Sequence, residues 1–244
     1  MVGRIIASVF KKFGFDIVRS SSARVPVEEV SSKHGDSSAF VLYKYLKEDG
    51  SFNYERYKKI QTEGNRRKIN QVWVVEENIQ FLSNYIKKTL IPRFGLCHGT
   101  RRGKEQEWFG KYLGCNVIGT EISDTATEFP NTIQWDFHQV KPEWLDAVDF
   151  IYSNSFDHSF DPENCIRNWM RCLTSDGLCI IEHSDGHEAS GASALDPFGA
   201  QSYLMPYLFA TWSKGDFYLK EILIAPQIHS KAERIVYFVL QRIK

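Results

Sequence analysis

Residues 148–184 read VDFIYSNSFDHSFDPENCIRNWMRCLTSDGLCIIEHS and hold a complete strand–helix–strand unit. The apolar run 148–153 is too short for a helix and closes on the polar Asn154. Asp161-Pro162-Glu163 is a helix start, with a capping carboxylate and a proline whose fixed φ suits the first turn. Ile166, Trp169, Met170 and Leu173 then recur at helical spacing. TSDG at 174–177 reads as a turn, and 178–181 as the returning strand. Strands joined through a crossover helix run parallel.

The same rhythm extends outward. Toward the N-terminus, 132–135 is a strand closed by Asp136, 116–120 one closed by Glu121, and 94–97 one followed by His98-Gly99-Thr100-Arg101. Between the last two lies a helix carrying Trp108, Phe109, Tyr112 and Leu113, with Gly114 in the position of a C-terminal cap. Toward the C-terminus, 217–224 and 235–240 are β-rich runs suited to an antiparallel edge pair. The expected architecture is α/β: a doubly wound, mostly parallel, seven-stranded Rossmann-like sheet. A helical extension or cap over 1–90 precedes a sheet domain over 91–244. Within 1–90, residues 20–37 read as a linker, and 38–48, 52–68 and 75–90 as helices, the last stopped by Pro92.

Composition narrows the function. The 244 residues carry no formal net charge, so no nucleic-acid partner is expected. None of the five cysteines shows metal-ligand spacing. Neither a metal nor a disulfide is expected, which suits a cytoplasmic setting. No apolar run reaches membrane-span length, and the N-terminus does not read as a signal peptide. Ile5, Ile6, Val9, Phe10 and Phe13 share one helical face flanked by Arg4, Lys11 and Lys12. Residues 4–15 therefore read as a helix packed on the protein, or else as a weak anchor on a membrane surface.

Ligands of open parallel sheets bind beyond the carboxyl ends of the strands. A carboxylate at Glu121 suits the two hydroxyls of a ribose. Asp136 and Phe137 suit an adenine, one accepting from its amino group and the other covering its ring. Each acid alone is equally an exposed loop residue; together they point to adenosine.

Four segments carry a resemblance: FGLCHGTRRG, NVIGTEIS, IQWDFH and the 148–184 run. In order and spacing they resemble the class I S-adenosylmethionine-dependent methyltransferases, in particular the branch acting on small molecules and sugars. The resemblance covers 93 to about 240. It implies S-adenosylmethionine as cofactor, S-adenosylhomocysteine as product, and a small polar acceptor, with a sugar in polysaccharide synthesis as one example. It places Cys97, His98, Gly99, Thr100 and Arg101 at the methionine end, Glu121 and Ile122 at the ribose, Asp136 and Phe137 at the adenine, and Asn154 and Ser155 beside the sulfonium. Two departures stand out: Cys97 replaces the family's acid, and Arg101 the second loop glycine. Arg101 or Arg102 pairing with the cofactor carboxylate would compensate.

Candidate proton acceptors follow the fourth and fifth strands: Asp157, His158, His183 and His187, with Asp185 between the last two. His158 reads equally as a shaper of the cofactor site. Tyr54, Tyr57, Gln61, Asn65 and Arg66 are positioned to reach the cleft, and 186–208 to form its lid or wall. A nicotinamide-dependent oxidoreductase shares the ribose acid but needs a GxGxxG loop that is missing here. A non-catalytic adenosine-binding or interaction domain is the other alternative.

Overall fold

The computed structural model describes residues 27–34, 37–227 and 229–244. The amphipathic stretch 4–15 lies outside them.

Seven strands form the main sheet: β3 (Phe94–His98), β4 (Asn116–Glu121), β5 (Thr132–Gln134), β6 (Val148–Ser153), β7 (Leu173–Ser184), β9 (Phe217–Ile224) and β10 (Ile235–Arg242). Their order is β5-β4-β3-β6-β7-β10-β9. The first five run parallel. β10 enters antiparallel to β7 and pairs antiparallel with β9. The expected doubly wound sheet with an antiparallel edge pair is therefore present. β7 is longer than expected, because Leu173 already pairs with Val148. The register then jumps, so that Phe150 faces Leu178, and 174–177 leave the ladder where a turn is read.

Side chains alternate across the sheet, as the two-residue period of a strand requires. Ile151, Cys179, Ile181, Phe238 and Leu240 enter one core layer, with α4 (Pro162–Cys172) and α5 (Met205–Ser213) packed over it. Phe150, Tyr152, Leu178, Ile180, Tyr237 and Val239 enter the other. That second layer is covered by α2 (Glu76–Thr89), through Ile79, Leu82 and Ile86, and by Phe109 of α3 (Lys104–Leu113). The capping signals behave as read: Asp161 accepts from the Asn164 N–H, and Gly114 ends α3 at φ 68°.

The N-terminal part departs from expectation. Residues 38–48 are not a helix, and 27–34 are not linker. β1 (Val27–His34) and β2 (Ser37–Tyr45) form an antiparallel pair, and β2 pairs onward with β8 (Phe198–Ala200) to make a second, three-stranded sheet. The physical reason is alternation: Ala39, Val41 and Tyr45 are buried on one side while Lys44 is exposed. That two-residue period, in a segment of aromatic and β-branched residues, outweighs helix propensity once β1 and β8 supply partners on either side. α1 (Tyr54–Arg67) follows as expected. No helix among the described residues is long and apolar enough to cross a membrane.

Candidate active site

The carboxyl ends of β3, β4, β5 and β6 open onto a cleft whose two halves share Gly99, Arg101, Ser155, His158 and Lys68. One half has an empty volume of about 510 Å³, the other about 1030 Å³.

The smaller half is floored by strand ends. Glu121 is buried, and its carboxylate accepts from the backbone N–H groups of Arg101 (3.2 Å) and Ser123 (3.0 Å). Burial raises its pKa against those hydrogen bonds. Asp136 accepts from the Tyr54 hydroxyl (2.8 Å), from the His138 N–H (2.9 Å), and pairs with the His138 ring at 2.7 Å. Burial alone would raise the Asp136 pKa, but the His138 bond and charge bring it below the usual carboxylate value. His138 in turn stacks on Phe160 and reaches Ser159 (2.9 Å). Glu121, Ile122, Asp136, Phe137 and Ser155 all line this half.

The loop after β3 is shaped by left-handed residues. Gly99 has φ 75°, and a Cβ there would lie 2.5 Å from Ser155 Cβ. This packing against Ser155 leaves the bare Gly99 backbone lining both halves. Arg101 adopts φ 39° without being glycine, at a cost of roughly 1–2 kcal/mol. Its guanidinium lines both halves and donates to the Gln71 carbonyl (3.2 Å).

α1 roofs the smaller half. Its buried stripe, Tyr57, Gln61, Gly64 and Asn65, has helical spacing but is mainly polar. A helix packed only on a core presents an apolar stripe; this polar one lines the smaller half of the cleft. Gly64 lets Leu195 come within 2.3 Å of where a Cβ would sit. Gln61 Nε2 donates to the Leu195 carbonyl (2.7 Å), so its Oε1 faces His158 Nδ1 at 2.7 Å. Tyr57, Gln61 and Asn65 thus reach the cleft, and Tyr54 reaches Asp136. Arg66 instead pairs with Asp124 at an exposed position.

The larger half is lined by Thr100, Arg102, Asn154, Asp157, His187 and Asp196, among others. Asn154 donates to buried Glu105 (3.2 Å), whose pKa burial pushes up to about 7. Trp73 closes one end; it stacks on His229 and donates to Glu182 (2.6 Å). His187 Nδ1 accepts the Ser184 N–H (3.2 Å), which in the neutral ring leaves the proton on Nε2, 4.0 Å from Asp157. Burial lowers the His187 pKa and raises that of Asp157.

Three expected site residues do not line the cleft. Cys97 points into the α2–α3 core layer. His98 is buried, with Nδ1 on the Thr120 hydroxyl (2.8 Å) and its ring on Trp169. His183 is buried beneath the floor against Phe238. Burial pushes both histidines down to about 3. Each occupies a strand position whose side chain turns to a core layer, a parity that a short apolar run does not reveal. Asp185 anchors the backbone N–H groups of Glu233 and Arg234. Lys68, Trp73, Leu195, Asp196 and His229 carry no periodic signal, since they sit in connections.

A mostly parallel sheet in this order, with acids closing its second and third strands above a glycine-bearing loop, is a Rossmann-like fold of the kind seen in methyltransferase structures. Residues 96–181 match the family model described as a methyltransferase domain. Among curated proteins no sequence matches it. In structure it is similar to the 1,6-didemethyltoxoflavin-N1-methyltransferase of Burkholderia thailandensis, solved with 1,6-didemethyltoxoflavin and S-adenosylhomocysteine. The TM-score is 0.59 at 14% identity, over 86% of this chain and 97% of that one. It is also similar to the plantazolicin methyltransferase BpumL in complex with a triazolic desmethylPZN analog (TM-score 0.56, 14% identity, 78% and 96% covered). A third similar structure is the CcbJ methyltransferase of Streptomyces caelestis (TM-score 0.52, 12% identity, 76% and 99% covered). At these identities the likeness concerns the fold.

Proposed function

We propose that this methyltransferase modifies a small polar acceptor, with the cofactor in the smaller half of the cleft and the acceptor in the larger. The observation that carries this reading is the convergence of Glu121, Asp136 and the bare Gly99 backbone on one roofed cavity. Glu121 would hold the ribose hydroxyls, Phe137 the adenine face, and Asn154 and Ser155 the boundary between the halves. Asp136 has three hydrogen bonds already, so an adenine amino group would share it with Tyr54 and His138 or displace Tyr54. Arg101 would release Gln71 to meet the cofactor carboxylate. The cofactor supplies an electrophilic methyl group when bound.

The chain's own residues do the rest. The roof of α1 and the loop at Leu195 exclude water. Ser155, at the junction of the two halves, fixes where the acceptor meets the cofactor. The acceptor's proton-bearing atom faces Asp157, His158 and His187, which replace its hydration with fixed polar groups. This polar lining, closed by the Trp73–His229 stack, suits a sugar or another hydroxylated metabolite. β2 and α1, within residues 37–67, act as a cap built into the domain.

Thermal unfolding tests the proposal. S-adenosylhomocysteine should raise the melting temperature of the wild type, NAD should not, and Glu121→Ala should abolish the shift. Stabilisation by NAD alone would favour the oxidoreductase alternative and overturn it.

A further inference from the structure

Beside the junction of the two halves, three ligand atoms converge without an explicit partner between them. One carboxylate oxygen of Asp157, one nitrogen of His158 and one carboxylate oxygen of Asp196 lie within 4.8 Å of one another. Among the described residues no other group of three His, Cys, Asp or Glu side chains converges in this way.

The protonation pattern makes the convergence informative. Gln61 is oriented by its bond to the Leu195 carbonyl, so its Oε1 accepts the proton of His158 Nδ1. The neutral ring then turns the lone pair of Nε2 toward Asp196 Oδ1, 3.5 Å away. Asp157 is only 8% exposed, and its Oδ1 has no hydrogen-bond partner. A lone pair and two carboxylates facing one another repel unless positive charge lies between them, and a buried orphan oxygen costs roughly 1–3 kcal/mol.

We propose that Asp157, His158 and Asp196 form a divalent-cation site that holds an oxygen of the acceptor. Two ligands of such an ion, each ~2.1 Å from it, stand roughly 3–4 Å apart, which the His158–Asp196 separation matches. The outer supports of a metal site are present. Gln61 fixes the His158 ring, and Asp196 Oδ2 accepts from the Ser193 hydroxyl (3.1 Å), leaving Oδ1 for the ion. Two carboxylates and one imidazole make a hard to borderline donor set suited to Mg²⁺ or Mn²⁺. Three protein ligands leave open positions for water or for hydroxyl or carboxylate oxygens of the acceptor. The absence of cysteine spacing motifs does not bear on such a site, because its ligands come from β6–α4 and from the 188–197 loop. The acceptor role rests on the larger half being the acceptor's; the cation site itself does not.

Manganese titration of the full, chelator-treated chain, followed by the electron paramagnetic resonance of free Mn²⁺, tests the site directly. One ion per chain is expected for the wild type, with Mg²⁺ competing. Binding should weaken at least tenfold in Asp196→Asn and in His158→Gln. No saturable Mn²⁺ binding by the wild type would overturn the proposal. Unchanged binding in Asp196→Asn would overturn it too. S-adenosylhomocysteine binding, measured separately in EDTA, keeps the two readings apart. Cofactor binding without an Mn²⁺ site sinks only the cation. Mn²⁺ binding without cofactor binding keeps the cation site and sinks the assignment of the two halves.

Discussion

The floor and the cover of the cleft are built on different principles. The floor is a row of strand ends, where regular hydrogen bonding places Glu121, Asp136 and Asn154 on one edge of one sheet. The cover is assembled from α1, the 188–197 loop and the β2–β8 pairing, which are far apart in sequence. It holds polar side chains through single hydrogen bonds such as Gln61 to Leu195 and Tyr57 to the His158 carbonyl. A floor of this kind suits a constant ligand. A cover of this kind borders both halves, α1 and Leu195 over the smaller and Asp196 on the larger.

The largest expected effect belongs to the floor and its acid stability. His98 and His183 have folded-state pKa values of about 3, against an ordinary value of 6.5. A base with a depressed folded pKa contributes stability that is complete above its unfolded pKa and lost as pH falls from 6.5 toward 3. Together the two are worth several kcal/mol, as an order of magnitude. Glu105, raised to about 7, acts oppositely and loses stability as pH rises from 4.5 to 7. Denaturant unfolding between pH 7 and 4 should show less acid loss in His98→Gln than in the wild type. Equal slopes would mean that the floor tolerates charge beneath it.

Gly99→Ala comes next. Its Cβ meets Ser155 at a left-handed backbone, so a loss of about 3 kcal/mol is expected from overpacking and backbone strain, read as a lowered urea midpoint. On the cover, Gln61→Ala should cut turnover roughly tenfold, the value of one or two hydrogen bonds, and, because Gln61 also lines the half assigned to the cofactor, weaken S-adenosylhomocysteine binding no more than severalfold in calorimetry. A parallel loss of cofactor affinity would erase the division between floor and cover. The smallest effect is that of Arg101→Gly. Relief of the left-handed strain should stabilise the fold by about 1 kcal/mol, while cofactor affinity falls several-fold through loss of the guanidinium. Unchanged affinity would remove Arg101 from the cofactor's carboxylate.

The same division explains what the sequence discloses. Strand ends are legible because a short apolar run and the polar residue that closes it are neighbours in the chain. The sequence therefore places Glu121, Asp136, Asn154 and Ser155 at the edge where the structure has them. Parity is harder: Cys97, His98 and His183 belong to the expected segments, yet their side chains face the core layers. The cover hides for another reason. Residues 38–48 read as a helix because their alternation is short, and of the two partners that make 37–45 a strand, β1 lies in a stretch that reads as linker and β8 more than a hundred residues away. Asp196 and Trp73 sit in connections, where no period marks them. The residue types of Tyr57, Gln61 and Asn65 were enough to suggest a cleft-facing side of α1, but the polar character of its buried stripe is apparent only with Leu195 in place.

The backbone pairing of Phe40–Leu42 with Phe198–Ala200 also constrains how such a protein can diversify. The two segments come from separate stretches of the gene, yet they interlock as one ladder beside the cleft. Exchanging either stretch alone with a relative would leave mismatched register at the seam. Recombination that transfers both together would carry a new substrate preference onto an unaltered sheet.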